Sequence, residues 1–112
     1  MSFSTTIDDV VSAIQTGDAA RISRYFDDVV QIGIDGKNHV CSRTQAEMIM
    51  RNFFTTRVIK GFTVEQKGGG NDSEFFIGSL STESNAFRTT VYLRTRGDRK
   101  LIQELRFDPI SR

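Results

Sequence analysis

The chain has 112 residues with a formal net charge of +1, and 26% of its residues are charged while 38% are hydrophobic. This length predicts one domain, residues 1–112, built around a single core. The small net charge argues against nucleic acid or another polyanion as a partner for the whole surface. The single cysteine excludes an intrachain disulfide, and together with the single histidine it offers no zinc ligand set, so no metal or other cofactor is predicted.

Charge is distributed unevenly along the chain. Residues 1–36 carry a net charge of −4, whereas residues 85–112 carry +4. No apolar run of about eighteen residues is present, so no membrane span is predicted. The segment from Met1 to Ser4 lacks the features of a signal peptide. The protein is therefore expected to be cytoplasmic, or exported to the periplasm if a signal was removed, and the sequence leaves open whether Met1 is native.

Two helices are predicted at the start of the chain. Thr6 is the expected N-cap of the first helix, and Gly17 is expected to end it. Asp18 can then cap a shorter second helix, so that the two form a helical hairpin. The apolar stripes that define these helices are Ile7, Val10, Val11 and Ile14 in the first and Ala19, Ile22 and Phe26 in the second.

A β-hairpin and a third helix are predicted next. Strand-like alternation from Val30 to Ile34 leads into Asp35-Gly36, a type I′ turn signal, and the strand returns over Lys37–Cys41. Ser42 and Gln45 have the spacing of a capping box. The following helix has the most regular apolar stripe of the chain, formed by Ala46, Ile49, Met50, Phe53 and Phe54.

The rest of the chain is predicted to be strands. Strands over Phe62–Lys67 and Glu74–Thr82 flank an expected mobile loop, Gly68–Ser73. A long hairpin over Asn85–Ile110 follows, turning at Gly97-Asp98. The order ααββαββββ predicts an α+β domain with its helices on one face of a mainly antiparallel sheet.

The sequence resembles the nuclear transport factor 2-like superfamily, and within it a bacterial family of small uncharacterised domains. The resemblance spans about Ile7 to Phe107 and is carried by the Gly17-Asp18 link, by Thr44–Ile49 and Phe53-Phe54 in the third helix, and by the closing Leu101–Phe107. It implies three helices on a strongly bent mixed sheet, a cone-shaped fold with a pocket at its open end. It also implies frequent homodimers and frequent export in the small family. Because the superfamily contains both enzymes and non-enzymes, the resemblance does not give the function.

Four residues are candidate ligand contacts. Period-two alternation puts Gln103 on the helix-facing side of the last strand, the one polar residue among Leu101, Leu105 and Phe107. Its alternative role is a satisfied polar group in the core. Tyr25 and Phe54 belong to an aromatic group, completed by Phe26 and Phe53, that is expected either to converge at the cone mouth or to fill the core.

His39 is the fourth candidate, because histidine is the side chain suited to acid-base work near neutral pH. Asp27, Asp28 and Asp35 are its candidate orienting partners, although an exposed hairpin histidine without a role is the alternative. The strands expected to line the cone carry mainly Phe, Thr, Val and Leu rather than acids, so no catalytic residue is assigned.

Two functions from different classes follow. The first is a non-catalytic binding or interaction domain with a pocket for a small apolar or anionic ligand. It is expected to form a homodimer through the outer face of its sheet, the face away from the helices. The residues expected on that face are Tyr92, Ile102, Arg88, Arg94, Glu104 and Arg106. The second is an isomerase- or dehydratase-type enzyme with His39 or a nearby Asp as base. Nucleic-acid binding by the basic hairpin is the weakest alternative, since only Tyr92 is available for stacking.

Overall fold

In the part of the chain that the structure describes, three helices and six strands follow one another in the predicted order ααββαββββ. The computed structural model describes residues 6–110. The helices are α1 (Thr6–Thr16), α2 (Ala19–Ser23) and α3 (Arg43–Thr55). The strands are β1 (Phe26–Ile34), β2 (Lys37–Ser42), β3 (Ile59–Gly69), β4 (Ser73–Thr82), β5 (Ala86–Arg96) and β6 (Arg99–Pro109). No helix in this part of the chain is long and apolar enough to cross a membrane.

The strands form one curved sheet in the order β2-β1-β6-β5-β4-β3. Neighbouring strands are antiparallel except for β1 and β6, which run parallel. The sheet is therefore mixed and mainly antiparallel, as predicted. Register shifts interrupt β1, β3 and β6, and such bulges bend a sheet and increase its twist.

The link between α1 and α2 is a Schellman motif that continues into a cap. Gly17 has φ of +66°, and the N–H groups of Gly17 and Asp18 donate to the carbonyls of Ile14 and Ala13 at 3.1 and 2.9 Å. The Asp18 side chain then accepts a hydrogen bond from the N–H of Arg21 and caps α2, as predicted. The predicted cap at Thr6 is wrong, because Thr6 is already helical.

Local turn and cap predictions hold for the two hairpins and for α3. Asp35 and Gly36 have φ of +53° and +80°, as a type I′ turn requires, and Gly97 has φ of +68° in the last hairpin. Ser42 and Gln45 form the predicted capping box. The glycine-rich loop is shorter than predicted, because Gly68 and Gly69 pair with Phe75 and Glu74 and extend the β3–β4 ladder.

A bulge in β6 changes which side chains face the helices. Tyr92 pairs with Glu104, but Leu93 pairs with Ile102, so Gln103 is an extra residue in the ladder. Ile102 consequently points with Leu93 into the core and is fully buried. Its predicted place on the outer face is therefore wrong, as is the uninterrupted alternation that placed Gln103 in an apolar row.

The core lies between the helices and one face of the sheet. Helix α1 contributes Val10, Ala13 and Ile14, and α3 contributes Ala46, Met50 and Phe53. The remainder of the core comes from inward-facing strand residues, among them Phe26, Ile32, Phe62, Phe76, Leu80, Phe87, Val91, Leu93, Ile102, Leu105 and Phe107. None of the described helices lies on the opposite face of the sheet, and we call it the outer sheet face.

Candidate functional site

The interior of the cone beside α3 is filled by aromatic rings. The Phe53 ring stacks on Phe107 with centroids 4.3 Å apart and meets Phe87 edge-on at 5.5 Å. The Arg57 guanidinium carbon lies 4.3 Å from the Phe53 centroid and 5.5 Å from that of Phe87. Space for a ligand at this end therefore lies outside these rings, around Arg57, rather than among them.

An open cleft of about 530 Å³ lies at this end, between β2 and α3. We call it the β2–α3 cleft. Lys37 and His39 of β2 face α3, because each shares a sheet face with the β1 residue that it pairs with. Lys37 pairs with Ile34, and His39 pairs with Ile32, which is buried in the core. The cleft is lined by Ile34, Asp35, Lys37, His39, Met48, Ile49, Asn52, Phe53 and Arg57.

The charges in the β2–α3 cleft are mainly basic. Lys37 and Arg57 contribute cations and Asp35 a carboxylate. Within residues 6–110, neither Lys37 nor Arg57 takes part in an ion pair. The His39 imidazole likewise has no hydrogen-bond or ion-pair partner there, so none of Asp27, Asp28 and Asp35 orients it as a base would require.

A separate polar cluster surrounds Asp27, where the bulges of β1 and β6 face each other. Both carboxylate oxygens of Asp27 accept hydrogen bonds from Nη1 of Arg96 at 2.9 Å. Gln103 Nε2 donates to Oδ2, and the backbone N–H of Asp28 donates to Oδ1 at 2.7 Å. The bulge releases Gln103 from the ladder and thereby allows its amide to reach Asp27.

This cluster holds Asp27 as a carboxylate. Burial alone would favour the neutral acid, but the hydrogen bonds from Gln103, from the Asp28 N–H and from Arg96, together with the Arg96 charge, lower the pKa of Asp27 below its ordinary value. Both oxygens are occupied by donors and the side chain is only 6% exposed. Such a carboxylate stabilises the structure and is poorly suited to accept a substrate proton.

Tyr25 connects α1 to the segment that leads into β1. Its hydroxyl donates to Oδ2 of Asp9 at 2.7 Å, and its carbonyl accepts the N–H of Ile102. Burial and the hydrogen bond to Asp9 raise the pKa of Tyr25, with the negative charge of Asp9 adding to the effect. The hydroxyl therefore stays protonated and engaged within the protein.

Phe54 lies elsewhere, against the link between α1 and α2. Its ring meets Phe53 edge-on at 5.6 Å and approaches Gly17, where an added Cβ would lie 3.6 Å from it. A shallow depression of about 370 Å³ adjoins it, lined by residues 16–20 and by Arg51, Phe54 and Thr55.

The four candidate ligand contacts thus occupy three places. Gln103 and Tyr25 lie near the bulges, His39 in the β2–α3 cleft, and Phe54 beside Gly17. Their role in ligand binding stays a prediction. Of the two alternatives for the aromatic group, convergence at the cone mouth is wrong, because Phe26 pairs with Ile102 near one end of β6, whereas Phe53 stacks on Phe107 near the other. Burial in the core is confirmed for Phe26 and Phe53.

Arg57 and the partners of Asp27 are site residues that the sequence does not predict. Arg57 follows Phe53 by four residues, but α3 ends at Thr55, so the helical spacing rule does not by itself predict their contact. Asp27 and Arg96 are 69 residues apart, and no local pattern connects them.

The outer sheet face presents apolar, aromatic and charged side chains together. One row crosses five strands through the paired residues Val40, Gln31, Glu104, Tyr92 and Phe75. Val40 is 73% exposed and Tyr92 is 43% exposed. In the next row Arg106 lies 3.7 Å from both Glu104 and Asp108, and its buried Nε makes no hydrogen bond within residues 6–110.

Comparison with known proteins gives a family match and close structural matches. A family model described as "Domain of unknown function (DUF4783)" matches residues 7–108. A DUF4783 family protein from Bacteroides uniformis is 26% identical with a TM-score of 0.93, covering 96% of this chain and 100% of that one. Another from Bacteroides ovatus is 30% identical with a TM-score of 0.89, covering 93% and 94%. No curated protein matches the chain.

A more distant structure shares the fold. An NTF-2-like protein of unknown function from Silicibacter pomeroyi is 11% identical with a TM-score of 0.69, covering 93% of this chain and 89% of that one. At this identity the likeness concerns the fold alone, and it agrees with the cone-shaped architecture expected from the sequence.

Proposed function

Because the chain belongs to the DUF4783 family and has the NTF2-like fold, we propose that it is a non-catalytic interaction domain that pairs with a second copy of itself through the outer sheet face. The observation that carries this proposal is the exposed Tyr92 on the central strand β5, in a row with half-buried Phe75 and exposed Val40. An exposed aromatic residue among apolar neighbours is typical of the centre of a protein–protein interface.

The outer sheet face is large enough for such an interface. Six strands spaced about 4.8 Å apart, with about ten residues rising about 3.3 Å each, give a face of roughly 800 Å². A standard interface buries about 800 Å² on each partner. A two-fold pairing that uses most of this face would therefore reach the size of a stable dimer.

The charges of the face suit pairing with an identical copy. Arg88 lies opposite Asp108 in the β5–β6 ladder, and Arg106 lies between Glu104 and Asp108 at 3.7 Å, a distance at which its ion pairs are long. A patch that carries both signs can face its own two-fold mate with opposite charges in contact.

The isomerase- or dehydratase-type alternative has less support from the geometry. His39 has no orienting carboxylate within residues 6–110, and the carboxylate of Asp27 is occupied by donors. A general base requires both a free lone pair and a defined orientation.

Sedimentation velocity at micromolar concentration tests the proposal. The wild-type chain should sediment as a dimer, and Tyr92→Arg should sediment as a monomer, since two arginines would then face each other across the two-fold axis. Within one protomer the new arginine would lie opposite Glu104, a favourable cross-strand pair, so the fold should persist.

Val58→Arg is the matched control for the same change in charge. Val58 is also exposed but lies in the connection between α3 and β3. This variant should remain dimeric. A wild-type monomer at low salt, or a Tyr92→Arg variant as dimeric as Val58→Arg, would refute pairing through the outer sheet face.

A further inference from the structure

We propose that the β2–α3 cleft binds a small amphiphile with an apolar body and a single carboxylate. The cleft lies on the helix-bearing side of the sheet, opposite the outer sheet face, so this site is independent of self-association. Its volume of about 530 Å³ falls within the range of small-molecule sites, about 300–1,000 Å³.

Apolar groups form one part of the cleft. Met48 is 65% exposed, although it stands on α3 beside the half-buried Ile49 and opposite the half-buried Ile34. Phe53, which is buried in the core, also lines the cleft. Methionine adapts its shape to irregular apolar partners, and an aliphatic or aromatic body placed here would cover Met48 and remove apolar surface from water.

Arg57 provides the anion-binding group. Its guanidinium face rests on the Phe53 ring, which limits the motion of the side chain. Nη1 donates to the Phe53 carbonyl and to the Thr56 hydroxyl, whereas Nε and Nη2 have no acceptor within residues 6–110. A planar guanidinium with free donors on one edge is suited to a carboxylate.

The other charges of the cleft favour one negative charge on the ligand. Lys37 adds a second cation at the rim, while Asp35 places a carboxylate nearby. A monoanion is attracted by the two cations and repelled by the one acid. The two cations and the one acid give the lining a net charge of +1, which a single carboxylate neutralises. The second negative charge of a phosphate monoester would lose hydration without a further cation of the lining to pair with.

Three probes of equal chain length test the ligand class. Octanoate, octan-1-ol and octyltrimethylammonium are titrated into labelled protein while backbone amide NMR shifts are followed. Octanoate should give saturable shifts at Lys37, His39, Met48, Ile49 and Asn52, and the alcohol and the cation should bind more weakly. Equal binding of the three probes, or shifts that do not saturate or lie outside the cleft, would overturn the proposal.

Three charge variants locate the binding groups. Arg57→Gln should bind octanoate about 5-fold more weakly, the size of a partly exposed ion pair. Asp35→Asn should bind it about 2-fold more tightly, and asparagine accepts the positive φ of the type I′ turn. Arg51→Gln makes the same change as Arg57→Gln on the outer side of α3, where Arg51 pairs with Glu47, and should bind like the wild type.

Equal affinities of the Arg57→Gln and Arg51→Gln variants would refute the role of Arg57. Should Arg57→Gln fail to fold because its stacking on Phe53 is lost, Asp35→Asn decides the question. Tighter octanoate binding by that variant supports the site, and unchanged or weaker binding overturns it.

Discussion

At the scale of single residues, the buried carboxylate of Asp27 makes the stability of the fold depend on pH. Its pKa is lower in the folded chain than in the unfolded chain, so the unfolded state binds more protons in the acidic range. The resulting stability is present in full above the ordinary aspartate pKa of about 3.9. It is lost as the pH falls through the lower folded-state pKa.

We expect Asp27→Asn to lower the free energy of unfolding by about 1–3 kcal/mol at pH 7, because charge-assisted hydrogen bonds from Arg96 and Gln103 are weakened inside the protein. Urea unfolding at neutral and acidic pH measures this. The difference from the wild type should shrink in acid, where Asp27 is itself protonated.

Asp28→Asn is the control for this change on the same strand. The Asp28 side chain is 82% exposed and its ion pair with Arg43 is in solvent, so the variant should change stability by less than about 0.5 kcal/mol. A penalty for Asp27→Asn that is the same at neutral and acidic pH would contradict the linkage to the carboxylate charge.

Thr89 is a second buried residue with a polar side chain. It is fully buried, pairs with Phe107 and Gly78, and its hydroxyl makes no hydrogen bond within residues 6–110. A buried hydroxyl without a partner lowers stability. We therefore expect Thr89→Val, which keeps the shape, to raise the free energy of unfolding by about 1 kcal/mol.

The neighbouring Thr90 provides the comparison. It is half-buried on the outer sheet face, and Thr90→Val should alter stability by no more than about 0.5 kcal/mol. Chemical denaturation of both variants at one pH makes the test. A clear loss of stability in Thr89→Val would mean that the hydroxyl has an acceptor, such as an internal water.

At the scale of elements, the features that the sequence predicts correctly are those formed by residues close together in the chain. The Schellman link at Gly17, the cap at Asp18, the type I′ turn at Asp35 and the capping box at Ser42 each involve residues within five positions of one another. Their signals are therefore complete within a short window, and the order of helices and strands followed from them.

The bulge in β6 shows why the candidate site was less predictable. Period-two alternation from Leu101 to Phe107 is consistent with an unbroken strand, and it placed Gln103 inward and Ile102 outward. In the structure Gln103 is an extra residue in the ladder. It is accommodated by the bend in β1 and by its hydrogen bond to Asp27, which is 76 positions away in the sequence. Such a non-local partner leaves no trace in the local pattern, so the faces of this strand could not be assigned in advance.

At the scale of the whole molecule, the three helices of the described residues lie on one face of the sheet, and none of them covers the outer sheet face. If a second copy covers it, unfolding includes dissociation, and the thermal midpoint depends on protein concentration. A hundredfold increase, from about 2 to about 200 µM, should stabilise a dimer by about 2.7 kcal/mol. That corresponds to a rise of roughly 5–10 °C for a unit of this size.

Scanning calorimetry across this concentration range distinguishes a dimer from a stable monomer, because only the thermal midpoint of a dimer depends on protein concentration. The midpoint of the Tyr92→Arg variant should be independent of concentration, because unfolding of a monomer does not change the number of particles. The midpoint of Val58→Arg should rise with concentration as in the wild type, since Val58 lies outside the strands that form the face. A concentration-independent wild-type midpoint would show that the exposed row around Tyr92 is not covered by a second copy.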